Sequence, residues 1–217
     1  MTDNNKTDES RRRVLRGSIG AATLVAGAPL MAATTPVQTE GPFFPVLAQP
    51  DTDADMTLIE GHSKPALGEV VEISGRVLDE DGNPVADALV DVWQANTHGR
   101  YAHEADPNPA PLDENFQGWA QLKTDAEGRY RVKTIKPGAY PVMANWTRPP
   151  HIHFKVARRG FHELTTQMYF AGDPLNDVDR LLQSVPEDQR AMLVVDFQPA
   201  SEPGVAQGRF DLMMQKV

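Results

Sequence analysis

The segment Arg148-Pro149-Pro150-His151-Ile152-His153-Phe154 carries two histidines one residue apart. If HIHFKVA is a strand, His151 and His153 project from one face while Ile152 and Phe154 project from the other. Two imidazoles on one face make a natural pair of metal ligands, and Pro149-Pro150 stiffens the entry to the strand. A half-exposed strand with two ordinary histidines is the plainer alternative. The metal depends on the remaining donors, since a carboxylate favours iron(II) and a third histidine favours zinc. Neither stands nearby in sequence. Of the four tyrosines, however, Tyr101 in HGRYAH and Tyr140 in KPGAYP lie in loop-like contexts. A lone tyrosine is usually a core or rim residue. Two beside such a strand point to a hard, oxidised ion, because phenolate is an anionic oxygen donor that stabilises iron(III) over iron(II). Copper with two tyrosines and two histidines is the competitor. The oxidase arrangement of that kind needs a Tyr–Cys cross-link, and the chain has 0 Cys.

Short alternating or β-branched runs recur from Glu69 onward and supply the frame for these residues. EVVEISGRVLD leads into the turn Asp81-Gly82-Asn83-Pro84, and ALVDVWQAN, GWAQLKT, RYRVKTI, HIHFKVA, LTTQMYF, AMLVVDF and GRFDLMM follow. The spacing predicts an all-β domain, a sandwich or barrel rather than alternating βαβ units. One short helix is expected over Pro174–Gln183, with Val178, Leu181 and Leu182 sharing a face. Residues 34–68 and 97–116 are rich in Pro, Asp and Asn and read as long ordered loops, where function tends to sit. The acidic stretch Asp173–Asp179 lacks the alternating ligands and central Gly of a calcium loop, and reads instead as the acidic first turn of the helix.

The chain has 217 residues, enough for one domain with a sizeable core. The absence of cysteine excludes disulfide scaffolds, thiolate metal sites and cysteine nucleophiles. A net charge of −9 argues against nucleic acid as a partner, since that needs a basic face. No Gly-rich phosphate loop, G-x-S-x-G elbow or H-E-x-x-H motif is present. Residues 1–33 join a basic run, Ser10-Arg11-Arg12-Arg13-Val14-Leu15-Arg16, to a small apolar run ending at Ala33. This pattern resembles a twin-arginine export signal, cleaved after Ala28 or Ala33, and a surface helix or a disordered tail is the alternative. It implies a periplasmic or secreted protein that meets the membrane only in transit. Removing residues 1–33 takes five basic and three acidic residues from 21 and 30, leaving 16 and 27, a net of −11.

Taken in order, TEGPFFP, GRVLDEDGNPVADALVDVWQAN, HGRYAH, PGAYP, RPPHIHF and LTTQMYFAGDP resemble the intradiol ring-cleavage dioxygenases. The likeness is strongest to the protocatechuate 3,4-dioxygenase β-subunit type. It runs from Thr39 to about Phe197. The resemblance implies a single mixed β-sandwich over residues 34–217 holding one iron(III) per chain, with Tyr101, Tyr140, His151 and His153 as its ligands. It implies a labile Tyr140 that accepts a proton as the diol binds. It also implies substrate-facing roles for Trp93, Arg148 and Gln167, with Arg148 stabilising charge on the ring and Gln167 orienting the oxygenated intermediate. The expected substrates are a catecholic diol, protocatechuate-like, and O₂, and the expected assembly is a homo-oligomer or a complex with a related α-type chain. Two departures bear on substrate: the loop between Tyr140 and Arg148 is shorter than in those enzymes, and Val142 stands where they tend to carry Trp. A transthyretin-like binding module also resembles the stretch Glu69–Asp91, but it leaves the two tyrosines and two histidines unexplained.

Overall fold

The structure, a computed structural model, describes residues 33–47, 49 and 51–217. The export-type segment expected over residues 1–33 lies outside the described residues, save Ala33. Twelve strands follow: β1 (Val70–Asp79), β2 (Leu89–Trp93), β3 (Trp119–Lys123), β4 (Arg129–Ile135), β5 (Tyr140–Met143), β6 (Trp146–Arg148), β7 (His151–Ala157), β8 (Leu164–Phe170), β9 (Val194–Val195), β10 (Gln198–Pro199), β11 (Val205–Arg209) and β12 (Leu212–Met214). In one mixed sheet β1 pairs antiparallel with β4 on one side and parallel with β11 and then β12 on the other, while β10 extends β11. The second sheet runs β3-β2-β7-β8-β9, antiparallel except for its last pair. The hairpin β5–β6 stands apart as its own two-stranded sheet.

Alternation builds the core between the two large sheets. In β1, Val71, Ile73 and Val77 are buried while most intervening residues are less covered. They share one cluster with Val132 of β4, Val90 and Val92 of β2, Ile152, Phe154 and Val156 of β7, and Met168 of β8. Phe154 joins the layers, its ring centroid 5.0 Å from that of Phe210 and 6.0 Å from that of Tyr130. The first four residues of β7 are buried on both faces, because loops cover the face that carries His151 and His153. Among the described residues, the expected long loops at 34–68 and 97–116 contain no strand longer than an isolated bridge.

The expected single helix is broken. Pro174–Val178 forms a 3₁₀ turn, and α1 (Arg180–Gln183) begins only after Asp179, whose backbone is extended at φ −71° and ψ 116°. Leu182 is buried but Val178 is 63% exposed, so the three apolar residues do not share a buried face. A second short helix, α2 (Glu187–Arg190), follows. Asp173 and Asp179 each cap the element after them, accepting from Leu175 N–H and Leu182 N–H.

Phe154 tests the sandwich directly. Replacing it with Ala should cost about 3–5 kcal/mol of unfolding free energy, measured by urea denaturation, because the cavity lies between two rigid sheets.

Candidate metal centre

Register places the chemistry on the outer face of the second sheet. His153 of β7 lies opposite Trp93 of β2 and Gln167 of β8, and His151 lies opposite Tyr169. The segment Gln38–Phe44 crosses this face. Thr39 O accepts from Gln167 Nε2 at 2.9 Å, and Phe43 packs on Tyr101 with centroids 4.7 Å apart.

Two chain reversals bring in the tyrosines. Asn96 O accepts from both Gly99 N–H and Gly138 N–H, at 3.0 and 2.9 Å. Gly99 adopts φ +76°, and a methyl carbon on Gly138 would lie 2.5 Å from Gly99 N. Only glycine lets the two loops touch here. Tyr101 and Tyr140 each follow two residues later, and their rings meet edge to face at 5.7 Å.

The donor atoms converge. Tyr101 Oη lies 3.1 Å from His153 Nε2 and 3.4 Å from His151 Nε2. The Tyr140 ring is 5.6 Å from that of His151. Metal–nitrogen distances of about 2.0–2.1 Å put adjacent donors of one ion about 3.0–3.4 Å apart, so this spacing fits a metal. Among the described residues no three His, Asp or Glu side chains form such a group, which leaves the phenols to complete the set. Burial, reinforced by the Arg148 charge, pushes His153 down to about 3 and His151 well below the usual imidazole value. Both are therefore neutral, the form that ligates. His151 Nδ1 lies 2.7 Å from Pro149 O, which directs the Nε2 lone pair into the site. Burial pushes the Tyr101 phenol well up, with Tyr140 adding to the shift, and pushes Tyr140 up as well. Phenolate here requires a strong neighbouring cation.

Arg148 closes the end of β6 beside these donors. Its Nε donates to Asp179 Oδ1 at 3.0 Å, its Nη2 to Gln167 Oε1 at 2.8 Å and Tyr169 Oη at 3.0 Å, and its Nη1 lies 3.2 Å from His151 Nε2. The pair with Asp179 is buried, with the two side chains 4% and 0% exposed. Asp179 also accepts from Trp146 Nε1 and Leu182 N–H, both at 3.1 Å. Sequence reasoning missed Asp179 as a site residue, because an acidic residue before a helix already has a capping role. Tyr169 and Gln38 were missed too, and a 3.1 Å hydrogen bond joins them.

A cleft of about 480 Å³ opens over the donors, and Tyr140, Arg148 and His153 form part of its wall. Trp93 and Gln167 are not on that wall. Trp93 stacks on His153 at 4.7 Å and 16°, and Gln167 is fully buried behind Arg148.

A family model, Dioxygenase_C (dioxygenase), matches residues 39–216. The chain belongs to the intradiol ring-cleaving dioxygenase family. It is similar to a protocatechuate 3,4-dioxygenase beta chain from Burkholderia cepacia, 48% identical over 168 residues, which are 75% of this chain and 72% of that one. It is also similar to catechol 1,2-dioxygenase 2 of Acinetobacter lwoffii, 37% identical over 64% of this chain and 52% of that one. The chain thus spans about half the length of this catechol enzyme. Among solved structures, catechol 1,2-dioxygenase from Acinetobacter sp. ADP1 superposes with a TM-score of 0.66 at 29% identity, covering 84% of this chain and 63% of that one. The dioxygenase domain of a dioxygenase carbohydrate-binding protein fusion from Streptomyces sp. SirexAA-E is matched over its whole length, with 85% of this chain covered, a TM-score of 0.63 and 29% identity.

The buried pair makes a stability prediction. Asp179→Asn should destabilise the intradiol dioxygenase fold by about 3–5 kcal/mol, since it leaves the Arg148 charge buried and uncompensated. Arg148→Met combined with Asp179→Leu should cost less than the two single changes added together, as read from a denaturation cycle.

Proposed function

We propose that the chain holds one iron(III) through Tyr101, Tyr140, His151 and His153 and opens a catecholic ring between its two hydroxylated carbons. Both atoms of O₂ enter the product, so a catechol becomes a cis,cis-muconate-type diacid and no external reductant is consumed. The observation that carries this reading is the convergence of two neutral imidazole nitrogens and a phenol oxygen within 3.4 Å, with a second phenol at the cleft wall. Two imidazoles and two phenolates suit a hard trivalent ion.

When bound, iron(III) supplies Lewis acidity toward a catecholate and withdraws electron density from its ring, so that a ring carbon becomes open to O₂. The remaining work falls to the chain. Tyr140 Oη, half-buried at the cleft wall, would be a phenolate while it holds the ion and in that form would take the proton of one diol hydroxyl, the other hydroxyl giving its proton to water in the cleft. Arg148 Nη1, beside the donor atoms, faces the oxygen on which negative charge grows as the ring ketonises. Gln167 and Asp179 hold the guanidinium plane for that task, and Trp93 holds the His153 ring. This assigns Gln167 and Trp93 to positioning rather than to substrate contact.

The designation of one relative as a beta chain supports an assembly with a related second chain. We propose as well that residues 1–33 direct export by the twin-arginine route, which carries folded, metal-loaded proteins.

Iron-loaded protein should contain about one iron per chain, show a visible phenolate-to-iron band, and consume catecholic diol and O₂ in equal amounts. Arg148→Lys keeps a charge for Asp179 but loses the planar fork. It should retain iron and colour while kcat falls on the order of 100-fold. Turnover within a few-fold of the parent would remove Arg148 from the chemistry, and full activity with zinc would remove the iron. For export, changing Arg11, Arg12 and Arg13 to Lys should leave folded protein in the cytoplasm. Unchanged periplasmic recovery on cell fractionation would overturn that reading.

A further inference from the structure

The cleft wall separates into two chemically different ends. At the inner end stand the donors and Arg148. Around the remainder, Pro42, Phe43, Pro107, Pro109, Val142 and Leu181 present an apolar surface. The other charged residues of the wall are Glu40 and Asp106, both acidic. Glu40 is paired with Lys155 at 2.9 Å, but Lys155 is shared with Glu163 at 3.4 Å, so this trio keeps a net negative charge. Asp106 accepts from Tyr101 N–H at 2.7 Å and Asn108 N–H at 2.9 Å, and no cation is paired with it among the described residues.

Arg148 is therefore the one cation among the described residues that line the cleft. It cannot serve a substituent at the outer end. It is 3% exposed, is neutralised by Asp179, and points Nη1 at His151, where the diol oxygens belong. Arg180 is the next cation near the mouth. It lies over the Trp146 ring at 5.2 Å and reaches Asn145 Oδ1 at 3.4 Å, and is not itself among the residues that line the cleft.

A carboxylate on the diol ring would leave water for a surface whose described lining residues offer no free cation and include two acidic ones, and burying a charge without a partner is costly. An alkyl or aryl group would meet prolines, Phe43, Val142 and Leu181 with no such loss. A cavity of about 480 Å³ also falls in the range that holds more than a bare ring. From this we infer that the cleft takes a catechol bearing an uncharged, apolar ring substituent and discriminates against a ring carboxylate. The inference rests on the ring-opening reading above and sharpens it. It also sets the chain apart from the substrate that the name of its 48% identical relative suggests.

Two measurements on the iron-loaded chain, without any partner, decide the matter. The first is equilibrium binding of unreactive monophenols by calorimetry. 4-Ethylphenol should bind at least about tenfold more tightly than 4-hydroxybenzoate, equal to about 1.4 kcal/mol. The Val142→Arg variant, made at a position already 45% exposed, should tighten 4-hydroxybenzoate about tenfold and weaken 4-ethylphenol, because it puts a cation into the apolar wall. The second is steady-state cleavage, where kcat/KM for 4-ethylcatechol should exceed that for protocatechuate on the order of 100-fold. Equal or reversed order in either measurement overturns the specificity, as does an unchanged 4-hydroxybenzoate affinity in the variant. Failure to open any diol overturns the ring-opening reading instead, and the monophenol order still decides whether the cleft prefers apolar rings.

Discussion

The contact of two backbone turns, Gly99 against Gly138, decides where both tyrosines go. A methyl carbon on Gly99 would sit 2.4 Å from Ala139 O, and one on Gly138 would sit 2.5 Å from Thr97 O. Asn96 secures the junction from beneath. Its carbonyl accepts from both glycines, and its side chain accepts from His98 N–H and Arg100 N–H at 2.9 and 3.1 Å. Tyr101 and Tyr140 thus arrive from segments about forty residues apart in sequence, yet each stands two residues beyond the same point of contact. The histidines need no comparable device, because the pleat of β7 sets their separation. One half of the donor set is fixed by a strand and the other by a glycine junction.

Burial then sets which ion these donors would suit. Removing water from His151 and His153 keeps them neutral and ready to ligate, and the Arg148 charge acts in the same direction. Removing water from Tyr101 opposes its ionisation, which Arg148 eases only in part. A dication repays two buried phenolates less well than a trication does, so a site this dry favours higher charge. The same dryness makes Arg148 expensive to keep. Asp179 with none of its side chain exposed, Gln167 and Tyr169 are the groups that keep it satisfied.

Much of this was legible in local patterns. RYRVKTI, HIHFKVA and LTTQMYF are strands to the residue, and the H-x-H spacing indicates which face of β7 is chemical. The hairpin β5–β6 was not legible. Its strands have four and three residues, with Pro141 and a register shift between Pro141 and Met143, so no alternation marks them. The Pro174–Gln183 helix was misread because apolar spacing fits a helix there, whereas the partners of Asp179 are distant. Its bond to Arg148 spans 31 residues, and no local signal announces that the chain must straighten at Asp179 to make it. The substrate-facing roles of Trp93 and Gln167 rest on resemblance alone. Strand register sets the two residues on either side of His153.

That register also makes the two histidines unequal. His151 has Pro149 O beside Nδ1, a contact that fixes its tautomer and raises the basicity of Nε2. His153 Nδ1 has no hydrogen-bond partner among the described residues, and neither does Nε1 of Trp93, the ring stacked upon it. Ligation through Nε2 obliges His153 to carry its proton on Nδ1, where nothing accepts it. The imidazole is then held by stacking on Trp93 and by its own strand. Without a hydrogen bond at Nδ1 it would be the weaker donor of the two in the proposed set. In the proposed set one imidazole would thus be oriented by a backbone carbonyl and the other by the ring of Trp93. Both supports come from outside β7, whose inner face stays a wall of the core.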